Sequence, residues 1–271
     1  MGGVSNMKVY HDLPLGVRFV LYAVVGLILI FLTAPLLLVL PMAISSDPWF
    51  TYPLPGVSMR WFQVLIDNPV WVDAIINSAL VGLGTTVLAT VLGTCAAIGL
   101  INPNFPYRNA VFVLALTPLI IPVVVSGLGV YIFFSKVGLL HSFPGIIIAH
   151  TVLATPFVVV TVTATLSRFD FSLIRAATSL GANRFTAFRT VMLPLIAPGV
   201  AAGAVFAFIT SFDEVVTVLF IGGPEQRTLP RQLFSGMREQ LEPTIIAASV
   251  IVIILTVFLM LVVGRLQHQR T

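Results

Sequence analysis

Six long apolar stretches determine what this chain can fold into. A helix needs about 20 apolar residues to cross the hydrocarbon core of a bilayer, and each stretch is long enough. Lipid offers the backbone no water to bond with, so a single apolar segment can cross only as a helix. The sequence therefore predicts an all-α membrane protein with six transmembrane helices. The stretches lie approximately at residues 18–44, 74–101, 109–134, 144–166, 193–221 and 244–264.

The composition agrees with a membrane protein of one domain. Only 9% of the residues are charged and 58% are hydrophobic, whereas a soluble domain carries about 25% charged residues. No segment of soluble-domain size separates the apolar stretches, so we predict a single transmembrane domain over residues 1–271. The net charge of +4 does not indicate nucleic-acid binding, because the basic residues are spread over the loops between the spans.

The distribution of lysine and arginine predicts the orientation in the membrane. With the N-terminus inside the cell, the inner segments hold nine of these residues and the outer segments five, as the positive-inside rule requires. Both termini are then cytoplasmic, and so is the loop at about 168–192. The loops at about 45–73 and 222–243 face outwards, and the second of them is predicted to contain a short helix before Pro243.

Prolines are common inside the apolar spans, and one span also contains a histidine. Pro118 and Pro122 lie in the third stretch, followed by small residues at 126–129, which predicts a kink. The small residues fit close helix packing or a bend that lines a pathway, and the two are compatible. His150 lies in the fourth stretch, where we expect it to hydrogen bond to a neighbouring helix.

The segment at 168–192 differs from its apolar surroundings because it carries four arginines. Within it, Leu173, Ala176, Ala177 and Leu180 have the i, i+3, i+4, i+7 spacing of one helix face. Gly181 follows and can end or turn the helix, since glycine readily adopts a positive φ. The arginines are Arg168, Arg175, Arg184 and Arg189.

This pattern predicts a short surface helix, a glycine hinge and a second helix that continues into the fifth span. Pro194 then lies in the first turn of that span, where its missing N–H costs little. Physical reasoning leaves two roles open for the short helix. It could dock a cytoplasmic partner, or it could lie on the membrane with its arginines on anionic lipid.

The same segment resembles the signature loop of ABC importer permeases. That pattern is Glu-Ala-Ala, three residues, Gly, nine residues, then Ile-x-Leu-Pro, and this chain has the alanines, glycine, leucine and proline at the same spacing. Arg175 stands where the family usually has Glu, and Val191 where it often has Ile. The resemblance implies a type I ABC importer permease fold, a bacterial inner membrane location and a coupling helix that docks an ATPase. The residues implied in coupling are Arg175, Ala176, Ala177, Gly181, Leu193 and Pro194.

The resemblance also implies partners. These are a second homologous permease, two ATPase subunits, an external substrate-binding protein and membrane lipid. A nucleotide-binding P-loop needs Gly-Lys followed by Ser or Thr, but the only lysines, Lys8 and Lys136, follow Met7 and Ser135. ATP and Mg²⁺ are therefore expected to bind the partner ATPase, and this chain is expected to hold no cofactor and to catalyse no hydrolysis.

An adjacent acidic pair, Asp213 and Glu214, lies within the fifth apolar stretch. A carboxylate at the centre of a membrane helix costs roughly 2.5–3.5 kcal/mol, so we expect the pair to have a functional or structural role. It could form a cation site that lines a pathway. Alternatively, one carboxylate could pair with Arg227 or Arg231, or cap a broken helix.

The segments around the pair, "SFDEVVTVLF" and "TLPRQLFSGMREQLEPTIIAAS", resemble the C-type permease of spermidine/putrescine importers. This implies a polyamine substrate that could contact Asp213 and Glu214, with cation–π contacts to Phe208 and Phe212. Importers of this group also carry amino-acid-like compounds, opines or iron, so those substrates stay open. An ATP-independent secondary transporter is a further alternative, but it would need its own coupling-ion site and usually internal repeats.

Overall fold

The computed structural model describes residues 14–49, 51–102, 104–239 and 242–268. The cytoplasmic location predicted for the two termini concerns chain ends that lie outside these ranges. Across the described residues the chain is helical, and its strand-like pairing is limited to one isolated antiparallel bridge between Ser45 and Val57. The all-α prediction is therefore confirmed.

The helices alternate between long membrane-sized elements and short connecting ones. The first, α1 at Leu15–Val39, continues into a 3-10 turn at Leu40–Ile44. The helix α10 at Leu229–Glu239 is the short helix predicted before Pro243. The bounds are α1 Leu15–Val39, α2 Arg60–Asp67, α3 Pro69–Ile101, α4 Arg108–Ile120, α5 Val123–Val137, α6 Phe143–Leu166, α7 Ser172–Ser179, α8 Arg184–Asp213, α9 Val216–Ile221, α10 Leu229–Glu239 and α11 Pro243–His268.

Five helices of the described part are long and apolar enough to cross a membrane: α1 with its 3-10 turn, α3, α6, α8 and α11. The helices α4 and α5 form a sixth span if they count as one, but they meet at an angle of 102°. The predicted kink is present, but the bend is so sharp that α4 and α5 are two separate helices. Ile121 has extended geometry because it precedes Pro122, and a residue before proline avoids the helical region.

The chain divides into two compact units, the first within Met1–Val64 and Glu242–Val250. In this unit no residue of α1 is buried, so its apolar surface must face lipid or another protein. The loop after α1 closes on itself, because Ser46 N–H donates to the carbonyl of Gly56 at 3.1 Å. The indole N–H of Trp61 donates to the carbonyl of Ser45 at 2.8 Å.

The second unit, within Leu65–Leu241 and Ile251–Thr271, has its core between α3, α6 and α8. Val158 of α6 is fully buried there. A Cβ atom on Gly93 of α3 would lie 2.6 Å from Val158 Cβ, and one on Gly203 of α8 would lie 3.2 Å from Val158 Cα. The two glycines therefore let three helices approach more closely than larger residues would allow.

The buried histidine of α6 contacts the neighbouring helix α8, as predicted. His150 Nδ1 lies 2.9 Å from Ser211 Oγ, and both residues are buried. A polar pair between two helices replaces the water that neither group can reach. The packing role expected for His150 is confirmed.

Candidate coupling surface and acidic helix junction

The predicted surface helix is α7, and its start is fixed by a carboxylate that the sequence analysis did not single out. Asp170 accepts a hydrogen bond from Ser172 N–H at 2.8 Å and another from Ser172 Oγ–H at 2.7 Å. These bonds hold the pKa of the Asp170 carboxyl below its usual value. The group therefore stays ionised near the helix N-terminus, where a negative charge is favourable.

The helix ends at the predicted glycine. Gly181 has φ +91°, its N–H donates to the carbonyl of Thr178, and Ala182 N–H donates to that of Ala177. This pair of bonds is a Schellman motif, in which a left-handed residue, usually glycine, ends a helix. The hinge predicted at Gly181 is thus a helix C-cap with defined geometry.

One side of α7 and its C-cap residue are exposed. Leu173 is 42% exposed and the C-cap residue Leu180 is 89% exposed, while Arg175 and Ala176 are exposed and Ala177 is partly buried. A face with apolar and small side chains that the chain itself does not cover is available to another molecule.

The opposite side of α7 is attached to the core. Ile174 of α7 and Phe169 just before it pack against a buried cluster that includes Leu166 of α6 and Ile196 of α8. Phe188, in the second turn of α8, packs against the same cluster. The helix α7 is therefore packed directly against α6 and α8.

Leu193 and Pro194 lie further along, on α8. Residues Phe188–Met192 form a π-helical turn immediately before them, so the helix that begins at Arg184 continues into the fifth span, as predicted. A proline cannot donate to the carbonyl one turn back, and prolines and π-helical bulges are both sites where helices depart from regular geometry. The structure brings Arg175, Ala176, Ala177 and Gly181 together in one surface element, while Leu193 and Pro194 belong to the adjoining span.

The acidic pair lies at a junction between two helices. The fifth apolar stretch was expected to be one helix over 193–221, but α8 ends at Asp213, and Glu214 is extended. The expectation of a continuous span is wrong because α9 is a separate helix that starts at Val216. The carboxylates are thus located where the backbone is already interrupted, rather than along an unbroken helix.

The two carboxylates differ in their surroundings. Glu214 Oε1 accepts a hydrogen bond from Thr217 N–H in the first turn of α9 at 2.8 Å, which is the capping role left open by the sequence. Asp213 is exposed. The arginines considered as partners bond elsewhere, Arg227 to the side chain of Gln232 and Arg231 to the carbonyl of Gly223.

The two aromatic residues expected beside the pair stack on each other. The rings of Phe208 and Phe212 have centroids 5.4 Å apart and planes inclined by 25°. Phe212 is 8% exposed, and the ring of Phe208 lies against Gly82, where a Cβ atom would meet it at 2.9 Å. Both rings therefore contribute to the packing of α8.

We expect Glu214→Ala to destabilise the junction, because it removes the acceptor for Thr217 N–H. Loss of a capping acceptor typically costs about 0.5–2 kcal/mol, and thermal unfolding of the purified protein in detergent measures the loss. Glu214→Gln is the matched control, since its amide oxygen can still accept the bond. Equal unfolding temperatures for Glu214→Ala and the wild type would contradict the capping role.

Two polar residues of α3 were missed by the sequence analysis. Asn77 Nδ2–H donates to the carbonyls of Glu225 and Arg227 at 2.9 and 3.0 Å. Ser78 Oγ accepts from Leu229 N–H at 2.8 Å. These bonds attach the 222–228 loop and the start of α10 to α3. No sequence signal could have indicated them, because the partners are about 150 residues apart.

An all-α membrane protein with a surface helix anchored to its core fits the architecture of a transporter subunit. Residues 89–270, which include α7 and α8, match the family described as the binding-protein-dependent transport system inner membrane component. The chain belongs to this family, and it is therefore a multi-pass inner membrane permease of an ABC importer.

The particular relatives support the resemblance seen in the sequence. The chain is 29% identical over 216 residues to the spermidine/putrescine transport system permease protein PotC of Escherichia coli (strain K12), covering 80% of this chain and 82% of PotC. It is 30% identical over 230 residues to the putrescine transport system permease protein PotI of the same strain, covering 82% of each chain.

The fold is shared with a solved transporter. A chain of a bacterial ABC transporter involved in the import of the acidic polysaccharide alginate superposes with a TM-score of 0.68 at 14% identity. The match covers 93% of this chain and 95% of that chain. The predicted ABC importer permease fold is confirmed at the level of fold.

Proposed function

We propose that this chain carries polyamines such as putrescine and spermidine across the inner membrane in an importer driven by a separate ATPase. The observation that carries the proposal is α7, an exposed helix that is fixed at both ends and attached to the core through Ile174. The names of the relatives PotC and PotI support the substrate class. An ATP-independent transporter does not fit membership of a binding-protein-dependent family.

The helix α7 is the coupling helix of this proposal. It docks on a cytoplasmic ATPase through Arg175, Ala176, Ala177 and the turn at Gly181, while Leu193 and Pro194 fix the start of the adjoining span. When two ATPase subunits close on ATP and Mg²⁺, α7 moves, and its contacts with the ends of α6 and α8 transmit the motion. This chain forms part of the translocation pathway. Hydrolysis of ATP takes place in the ATPase subunits.

The remaining partners follow from the same arrangement. A second, similar permease completes the pathway. It covers part of the exposed apolar surface of the helices, and membrane lipid covers the rest. A binding protein delivers the substrate to the external loops at about 45–73 and 222–243, with both termini of the chain on the cytoplasmic side. Closure of the ATPases opens the pathway outwards, and hydrolysis returns it to the inward-open state.

Asp213 is the carboxylate we assign to the substrate. It is exposed at the end of α8, whereas Glu214 is engaged by Thr217 N–H and Phe212 is mostly buried. A polyamine carries two or more ammonium groups, and binding sites of membrane transporters are typically located where a helix is interrupted, as the backbone is beside Asp213. Glu214, Phe208 and Phe212 then shape the junction around Asp213.

We expect Asp213→Asn to reduce polyamine-driven turnover more than Glu214→Gln does. The test uses the assembled transporter in lipid with its binding protein, and it records ATP hydrolysis and uptake with putrescine, spermidine and a panel of neutral and zwitterionic solutes. Stimulation by polyamines alone, with uptake lost in Asp213→Asn, supports the proposal. Stimulation by a zwitterion or an anion instead would reject the polyamine substrate.

A further inference from the structure

The coupling surface carries an unusual charge. Four arginines, at 168, 175, 184 and 189, are exposed in and around α7. Within the described ranges, none of their guanidinium groups has a hydrogen-bonding or ion-pair partner in the chain. The only carboxylate in this segment is Asp170, which attracts Arg175 electrostatically but forms its hydrogen bonds with Ser172. Four arginines against one carboxylate leave this surface with a net positive charge.

Arg175 occupies the central position of this surface. It is exposed on α7 beside Ala176 and Ala177, and its own carbonyl accepts hydrogen bonds from Thr178 Oγ1 at 2.8 Å and Ser179 Oγ at 3.0 Å. The two hydroxyl groups are thereby directed back to the helix. Arg175 is left as the charged group that a docking partner would meet on this face.

The side chains around Arg175 favour a protein groove over a lipid surface. A helix that lies on a membrane presents large apolar residues along the whole of its buried face. In α7 the exposed leucines, Leu173 and Leu180, lie near the two ends, whereas the centre presents alanine and short hydroxyl residues. Small side chains allow a second backbone to approach closely. A surface with small residues and one unpaired arginine is complementary to a narrow groove with negative charge.

We infer that the ATPase groove that receives α7 is acidic and that a carboxylate in it pairs with Arg175. The inference rests on the proposed coupling role of α7 and adds the chemistry of the partner. Like charges brought together at an interface oppose association strongly. An ATPase with a basic groove would therefore dock poorly on this permease, so Arg175 contributes to the choice of partner.

The experiment is co-purification of the ATPase with the tagged permease in an uncharged detergent, from cells that express the complete transporter. We expect the Arg175→Glu variant to retain about tenfold less ATPase than the wild type, since repulsion between two carboxylates replaces the attraction between arginine and carboxylate. Arg175→Lys keeps the charge and should remain close to the wild type. Arg108→Glu is the matched control, because Arg108 is exposed and lies outside α7.

In the wild type, retention of the ATPase should fall as the salt concentration rises, because salt screens charged groups at the surface.

A second substitution makes the test specific. Exchange of the carboxylate in the ATPase groove for lysine should restore the retention that Arg175→Glu has lost. Full retention by Arg175→Glu, combined with loss in Gly181→Asp, would overturn the acidic groove and leave docking through α7 intact. Full retention by both variants would instead overturn the proposed coupling role.

Discussion

Substitution of Gly181 by aspartate is expected to release the ATPase while the permease remains folded in the membrane. Gly181 has φ +91°, and a left-handed conformation costs a residue with a Cβ atom about 1 kcal/mol. A Cβ atom there would meet nothing within 4 Å, so the chain itself has room for the side chain. The charged side chain would instead project from the C-cap of α7 into the proposed docking surface. Co-purification of the ATPase and polyamine uptake measure the effect.

Gly138→Asp is the matched control for this prediction. Gly138 ends α5 with φ +72°, and a Cβ atom there also meets nothing within 4 Å. Both variants therefore place an aspartate at a positive φ and add one negative charge, but only Gly181 adjoins α7. If Gly138→Asp lost the ATPase as completely as Gly181→Asp, the loss would reflect general destabilisation, and the coupling surface would lose its support.

Substitution of Gly93 by valine is expected to disrupt the core of the second unit. A Cβ atom at this position would lie 2.6 Å from Val158 Cβ and 3.2 Å from the carbonyl oxygen of Thr155. Val158 is fully buried and cannot turn away into solvent or lipid. Overpacking of a close-packed core typically costs about 1–3 kcal/mol. We expect a lower unfolding temperature in detergent and less monodisperse protein after purification.

Gly99→Val controls for the presence of valine in the same helix. Gly99 also lies in α3, but a Cβ atom there meets nothing within 4 Å. This variant should unfold at or above the temperature of the wild type, since glycine is a poor helix former. Equal stability of Gly93→Val and Gly99→Val would show that α3 and α6 do not approach as closely as described.

The sequence by itself determined the features that depend on local periodicity. Apolar length identified the spans, because the bilayer sets a minimum length for a helix. The spacing of Leu173, Ala176 and Ala177 identified α7, and Gly181 marked its end. These predictions succeeded because helix formation and capping depend on residues within about one turn of each other.

Helix boundaries inside apolar stretches were less accessible from the sequence. The stretch at 193–221 has the composition of one span, yet α8 ends at Asp213. The bend between α4 and α5 was recognised from Pro118 and Pro122, but the angle of 102° was not. In both cases the apolar composition is the same on the two sides of the break, so hydropathy carries no signal for it.

The tertiary structure alone decided which distant residues meet. Because α8 ends at Asp213 and α9 begins at Val216, Glu214 can cap α9 while Asp213 stays exposed. Asn77 attaches the 222–228 loop to α3 across about 150 residues, which no local pattern can encode. The sequence by itself determined the polarity of the spans and the capped ends of α7, since these arise from neighbouring residues. The pairing of polar groups between helices depends on how closely the helices pack, and that is a property of the assembled core.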